Sequence, residues 1–114
     1  MRAVVRWCQK NFTLEHHPGF EPGNSGTDHY QGLYYYYHTM AKSLRAYGRP
    51  EFTDGDGVSH KWAKELAEKL LSLRNEDGTF KNDKNQRWEE SVVPIATSYA
   101  VLALIECRAV IAAE

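Results

Sequence analysis

The sequence predicts an all-α fold of four main helices, arranged as two α-hairpin repeats. Apolar residues recur at helical spacing in four stretches. Loops rich in glycine or polar residues separate these stretches. The order helix, glycine-containing loop, helix occurs twice, over about residues 1–48 and 60–112, at an offset of about 58–59 residues. Each hairpin of this kind leaves an apolar face that only a neighbouring hairpin can cover.

The first repeat contains a short helix over residues 2–11 and a longer one over about 30–47. Thr27 or Asp28 is the predicted N-cap of the longer helix, because a short polar side chain can accept a hydrogen bond from a free backbone N–H. Gly48 follows this helix and is predicted to end it.

The connection between these helices, residues 12–29, contains two prolines and three glycines. It is longer than most connections, so we expect it to lie on a partner surface or to serve a function. Within it, Glu15-His16-His17 lacks the spacing of a metal site.

The second repeat contains an amphipathic helix over about 60–74, with Ser59 as its predicted N-cap. A polar loop over residues 75–91 follows, and a helix over about 92–113 is apolar on almost every side. Such a helix is expected to be enclosed by others. Between the repeats, residues 54–57 read Asp-Gly-Asp-Gly, which is typical of a turn.

The composition excludes several classes of protein. A chain of 114 residues with 42% hydrophobic and 25% charged residues fits one globular domain. A net charge of −1 predicts no nucleic-acid partner. The longest apolar run, residues 99–105, is shorter than the roughly 18–20 residues of a membrane span, and the N-terminus lacks a signal-peptide pattern. We therefore expect a cytoplasmic protein if the chain is complete, with Cys8 and Cys107 as reduced thiols.

Residues 66–80 and 93–104 resemble the repeat of the squalene cyclase and protein prenyltransferase superfamily. That repeat reads helix, Gln-x-x-Asp-Gly-x-Trp, loop, then Thr-x-Tyr-Ala-x-x-x-Leu on an inner helix. Arg74 stands at the position of the glutamine and Phe80 at that of the tryptophan. The resemblance covers residues 60–105 well and the first repeat more loosely. It implies an α/α toroid, in which outer and inner helices surround a central cavity.

A run of four tyrosines opens the second helix, and two hypotheses explain it. The rings pack the hairpins together, or some of them line a pocket that holds an isoprenoid and stabilises a carbocation. Glu89 and Glu90, at the start of the last helix, are interpreted either as acid–base groups or as acids that favour the helix dipole. The candidate ligand-lining residues are Tyr34, Tyr35, Tyr36, Tyr37, His38, Trp88, Glu89 and Tyr99.

His38 is also a weak candidate for a metal ligand. The segment Tyr37-His38-Thr39 resembles one in prenyltransferase β subunits, where the histidine binds zinc. Zinc needs three or four protein ligands, and the Asp-x-Cys pair that supplies others in that family is absent from this sequence, as is the cyclases' Asp-x-Asp-Asp motif. The sequence therefore predicts no cofactor.

The expected function is a non-catalytic or incomplete repeat module of this superfamily, which binds a hydrophobic ligand or partner through an aromatic concave face. One alternative is an active enzyme of the cyclase or prenyltransferase type, completed by further hairpins or other subunits. Another is a structural protein-interaction module. Two repeats are fewer than such a toroid needs, so we expect a homo-oligomer or a part of a longer chain.

Overall fold

The structure, a computed structural model, describes residues 2–23 and 26–113, leaving aside the side chains of Arg2 and Val4. The four helices are α1 (Arg2–Asn11), α2 (Leu33–Tyr47), α3 (Trp62–Leu73) and α4 (Val93–Ala112). Two strands, β1 (Phe52–Thr53) and β2 (Ser59–His60), lie between α2 and α3, and short 3-10 turns span Asp28–Tyr30 and Arg87–Glu89. The mainly helical fold with four main helices is thus confirmed, with a small β-hairpin added.

The two ends of α2 compare differently with the prediction. Gly48, at φ +87°, ends the helix as predicted, since its N–H donates to the carbonyls of Arg45 and Leu44. The start is later than predicted, because a separate 3-10 turn precedes the helix. Gly32 stands at the N-cap, so the expectation that Thr27 or Asp28 caps this helix is wrong.

Helix α4 packs against both α2 and α3, whereas α1 packs against α2. Small side chains at helical spacing let the neighbouring helices approach α4 closely. The buried face of α4 consists of Ala96, Ala100, Ala103 and Cys107. On its outer side, large apolar side chains remain exposed: Val101, Leu102 and Ile105. The helix is therefore apolar on almost every side, but its fully buried side chains lie on one face.

Among the described helices, α4 is long and apolar enough to cross a membrane by length and composition, with a hydropathy of 1.7. The core helix of a globular protein passes the same test. The prediction that the chain has no membrane span stays a prediction.

The core lies between α2, α3 and α4, with the loop before α4 folded onto it. Trp62 is fully buried, and its indole N–H donates to the carbonyl of Arg49 at 3.2 Å. Phe80 is buried as well, and its backbone N–H donates to Oγ1 of Thr97 at 3.0 Å. Further buried core side chains are Leu44, Leu66 and Leu70.

The β-hairpin is built around the Asp-Gly-Asp-Gly turn. Oδ1 of Asp54 accepts hydrogen bonds of 2.9 Å from the backbone N–H groups of Asp56 and Val58. This Asx turn confirms the structural interpretation of these residues. Ser59 pairs with Thr53 in the hairpin, and Lys61 stands at the N-cap of α3. The prediction that Ser59 caps this helix is therefore wrong.

His60 joins this turn to α3. Its Nε2 lies 2.7 Å from Oδ2 of Asp54, and its Nδ1 lies 3.1 Å from the carboxylate of Glu65. Burial of the ring opposes protonation, but the hydrogen bonds to both carboxylates outweigh it and raise the pKa of His60 above 6.5. The same contact lowers the pKa of Asp54.

Candidate functional site

The four consecutive tyrosines have different environments. Tyr34, Tyr36 and Tyr37 are buried, whereas Tyr35 is 38% exposed. Burial raises the pKa of Tyr34 to about 12, and it also raises the pKa values of Tyr36 and Tyr37. These three phenols are therefore neutral packing groups, and Tyr35 is the member of the run that faces outward.

Two of the buried tyrosines hold the long loop between α1 and α2. The hydroxyl of Tyr36 donates to the carbonyl of Thr13 at 2.7 Å, and that of Tyr37 donates to the carbonyl of Leu14. The backbone N–H of His17 donates to the carbonyl of His29 at 2.8 Å. The described part of this loop therefore lies on α2, as its length predicted.

A groove with a volume of about 390 Å³ lies between α1 and α2; we call it the α1–α2 groove. Trp7 of α1 contributes a large apolar surface and is 43% exposed. Its ring meets that of Tyr36 edge to face, with centroids 6.4 Å apart. The residues that line the groove are Ala3, Trp7, Cys8, His17, Tyr35, Tyr36, Thr39, Met40 and Ser43. The lining is thus mainly apolar and aromatic, with few polar groups.

A continuous series of ring contacts, the aromatic row, begins beside this groove. Consecutive ring centroids lie between 4.8 and 6.3 Å apart, within the range of attractive aromatic pairs. The row consists, in order, of Phe20, His17, Trp88, Tyr35, Tyr99 and His38. The structure therefore brings together four of the predicted site residues, namely Tyr35, His38, Trp88 and Tyr99. Glu89 lies outside the row as an exposed side chain.

Trp88, which is 45% exposed, is held in the row by an unusual backbone. Trp88 and Glu89 have φ values of +66° and +60°, which lie in the left-handed region. For residues other than glycine, this conformation costs about 1–2 kcal/mol per residue. Gly32 makes the approach possible, because a Cβ at that position would lie 2.9 Å from Cδ2 of Trp88. Such strain persists only where surrounding contacts fix the conformation.

Glu90 is completely buried and supplies the cap that α2 lacks from its own segment. Its carboxylate accepts hydrogen bonds from the backbone N–H groups of Tyr34 at 2.9 Å and Tyr35 at 2.8 Å. Negative charge is favoured there, because the helix N-terminus carries partial positive charge. The prediction that this acid favours the dipole of the following helix is wrong: it stabilises α2 instead. At the start of α4, Val92 stands at the N-cap with no side-chain hydrogen bond.

Asn82 fixes the loop that carries Glu90. Its backbone N–H donates to the Glu90 carbonyl at 2.8 Å, and its Nδ2 donates to the carbonyl of Tyr30 at 2.8 Å and to the Glu90 carboxylate at 3.2 Å. Its Oδ1 accepts from the N–H groups of Lys84 and Asn85, both at 3.1 Å. The polar loop before α4 is therefore anchored to the start of α2, beside the aromatic row.

The described residues include no group of three or more His, Cys, Asp or Glu side chains that could hold a metal ion. His38 packs on Tyr99 instead, with centroids 6.3 Å apart. The two cysteines are buried and free, in agreement with their interpretation as reduced thiols. Burial raises the pKa of Cys8 to about 11 and that of Cys107 to about 12.

Only one wall of the α1–α2 groove was predictable from the sequence. Tyr36, Thr39, Met40 and Ser43 lie at spacings of three, four and seven residues, so their common face of α2 was readable from the sequence. The opposite wall, Trp7, was not, because the pairing of α1 with α2 is a tertiary contact.

No protein-family model matches this sequence, and neither a curated protein nor a solved structure matches the chain. The resemblance to squalene cyclase repeats therefore stays a prediction. The chemistry of the site follows from the contacts of its own residues.

Proposed function

We propose that this chain binds a small hydrophobic molecule in the α1–α2 groove, as a non-catalytic repeat module of the squalene cyclase and prenyltransferase type. One observation carries the proposal: Trp7 and Tyr35, both more than a third exposed, line an apolar groove of about 390 Å³. Ligand pockets in proteins measure roughly 300–1,000 Å³ and are lined mainly by apolar and aromatic side chains.

The groove offers a ligand mainly apolar contact. Removing apolar surface from water contributes about 25 cal/mol per Å², and the exposed ring of Trp7 supplies such surface. The described lining contains no carboxylate and no lysine. Cys8 is a neutral thiol, and the hydroxyl of Tyr36 donates to a backbone carbonyl. These groups support binding as the main role of the groove.

Calorimetric titration with β-naphthyl methyl ether, an apolar aromatic probe, tests the proposal. We expect binding to the wild-type chain, and affinity about tenfold lower for Trp7→Ala, which removes one wall. Thr39→Trp should abolish binding, because Thr39 is exposed at the groove and a bulky ring there fills it. Leu71→Ala is the matched control, since Leu71 is 57% exposed on α3 and does not line the groove. Equal affinities for the wild type and Thr39→Trp would contradict the proposal.

A second candidate function is a protein-interaction module, and the outer face of α4 favours it. Val101, Leu102 and Ile105 are each more than 40% exposed on this face. A hairpin array covers such a face with the next hairpin, so we expect self-association of the chain. Light scattering should give the mass of a dimer or larger oligomer, and Ile105→Glu should give a monomer. A wild-type monomer at high concentration would refute self-association.

The enzymatic alternative has a direct test as well. Incubation with an isoprenoid diphosphate and Mg²⁺ would reveal turnover by product analysis. We expect none from this chain alone.

A further inference from the structure

The two ring nitrogens of His17 have different environments. Nδ1 lies 2.7 Å from the backbone carbonyl oxygen of Gln31. A carbonyl oxygen only accepts hydrogen bonds, so Nδ1 carries the hydrogen, and Nε2 of the neutral ring has a free lone pair. Nε2 has no hydrogen-bond partner in the part of the chain that the structure describes, and it is not a buried unpaired atom. It is therefore an accessible hydrogen-bond acceptor.

Neighbouring groups hold this ring in one position. It stacks on Tyr36 with centroids 5.3 Å apart and an interplanar angle of 22°. Phe20 and Trp88 pack against it at 4.8 and 5.8 Å. On the Nδ1 side it approaches Gly32, where a Cβ would lie 3.2 Å from Nδ1. Since Nδ1 faces this backbone, Nε2 lies on the edge of the ring that points away from it.

We propose that Nε2 of His17 selects the ligand of the α1–α2 groove: an aromatic or alicyclic molecule with one hydroxyl or N–H donor. This inference rests on the proposed binding function and adds the polar end of the ligand. His17 lines the groove, and the volume of about 390 Å³ fits a small molecule rather than a peptide helix. A ligand without a donor would displace water from Nε2 and leave this nitrogen without a hydrogen-bond partner. The free-energy cost of that unpaired acceptor makes such a ligand bind more weakly.

The groove contains two other polar candidates for this role, the hydroxyls of Thr39 and Ser43. Thr39 is exposed and Ser43 is half-buried, so water can satisfy both. A hydroxyl also rotates and can either donate or accept, so it discriminates little between ligands. His17 has a fixed ring and a fixed tautomer, and it is preorganised to accept.

A matched pair of probes tests the inference by calorimetric titration: β-naphthol, which has a hydroxyl donor, and β-naphthyl methyl ether, which has none. We expect the wild-type chain to bind β-naphthol about fivefold more tightly than the ether, because one additional hydrogen bond increases affinity by about this factor. In His17→Asn the amide still donates to the Gln31 carbonyl, but no acceptor remains at the Nε2 position. This variant should bind both probes about equally. Because the His17 ring is also part of the groove lining, the readout is the ratio of the two affinities within the variant. Thr39→Val should keep the preference.

The tautomer can be measured in the wild-type protein without ligand or mutation. In isotope-labelled protein, NMR of the imidazole nitrogens should show a protonated Nδ1 and an unprotonated Nε2 for His17, and β-naphthol should shift the Nε2 resonance. The opposite tautomer would overturn the inference, even if His17→Asn did not fold. Equal affinity of the wild type for both probes would overturn the acceptor role and leave the groove function intact. Binding of neither probe would refute both.

Discussion

Replacing Glu90 by alanine removes the cap of α2 and is the most informative single perturbation of this fold. The carboxylate is completely buried and bonded to the N–H groups of Tyr34 and Tyr35 at 2.9 and 2.8 Å. Among the described residues, no lysine or arginine forms an ion pair with it. The hydrogen bonds that this carboxylate would make with water in the unfolded chain are therefore replaced by bonds from the N-terminus of α2 and from the amide of Asn82.

The magnitude follows from these contacts. A buried N–H left without a partner costs about 1–3 kcal/mol, and this applies in full to the N–H of the buried Tyr34. Loss of the second capping bond, to the less buried N–H of Tyr35, adds about 0.5–2 kcal/mol. Together they predict that Glu90→Ala lowers the free energy of unfolding by about 1.5–5 kcal/mol, a large share of the 5–15 kcal/mol typical of a domain.

Urea unfolding followed by far-ultraviolet circular dichroism measures this change. With a slope of about 2 kcal/mol per M, the midpoint should fall by about 0.75–2.5 M. Glu90→Gln, which keeps the volume but turns an N–H₂ donor toward one of the backbone N–H groups, should lie between Glu90→Ala and wild type.

Glu89→Ala is the control, because Glu89 is the neighbouring acid and its side chain is exposed. Its midpoint should change by less than the equivalent of about 0.5 kcal/mol. If Glu89→Ala and Glu90→Ala lowered the midpoint equally, the assignment of the cap to Glu90 would be refuted.

Three further outcomes are expected. Glu89→Gly should raise the free energy of unfolding by about 0.5–1 kcal/mol in the same urea assay, because glycine tolerates φ +60°; a loss would show that no strain is stored there. The bond of His60 to Asp54 raises the histidine pKa, so its stabilisation is complete below about pH 6.5 and is lost as pH rises through the raised value. The melting temperature should therefore fall between pH 6 and 9 in wild type and less in His60→Gln; parallel profiles would contradict this. Cys8 and Cys107, with pKa values of about 11 and 12, should react slowly with a disulfide reagent at pH 8 and rapidly in urea; fast native labelling would refute their burial.

The helices were predictable because their signals are local. Periodicity placed α1 at residues 2–11, and the observed helix is Arg2–Asn11. Gly48 ends α2 because only its own backbone has to adopt a positive φ. The β-hairpin was not predictable, since strands of two residues are too short to show alternation.

The site was predictable only as a set of aromatic residues. Four consecutive rings cover every direction around a helix, so periodicity cannot tell which of them is buried. The positions of the neighbouring elements decided that Tyr34 and Tyr37 lie in the core while Tyr35 faces outward beside Trp88. The groove likewise exists only because Trp7 of α1 lies opposite α2.

The sequence by itself determined the helical class, the order of the main helices and the aromatic segments, because hydrophobic spacing and turn residues act over a few positions. The tertiary structure decided which acid caps α2 and which nitrogen of His17 lies against a backbone carbonyl. The first contact joins residues 56 positions apart, and the second joins residues 14 apart across a loop. Hydrogen bonds of this kind depend on distances of about 3 Å between atoms of separate segments, and no local pattern in the chain encodes them.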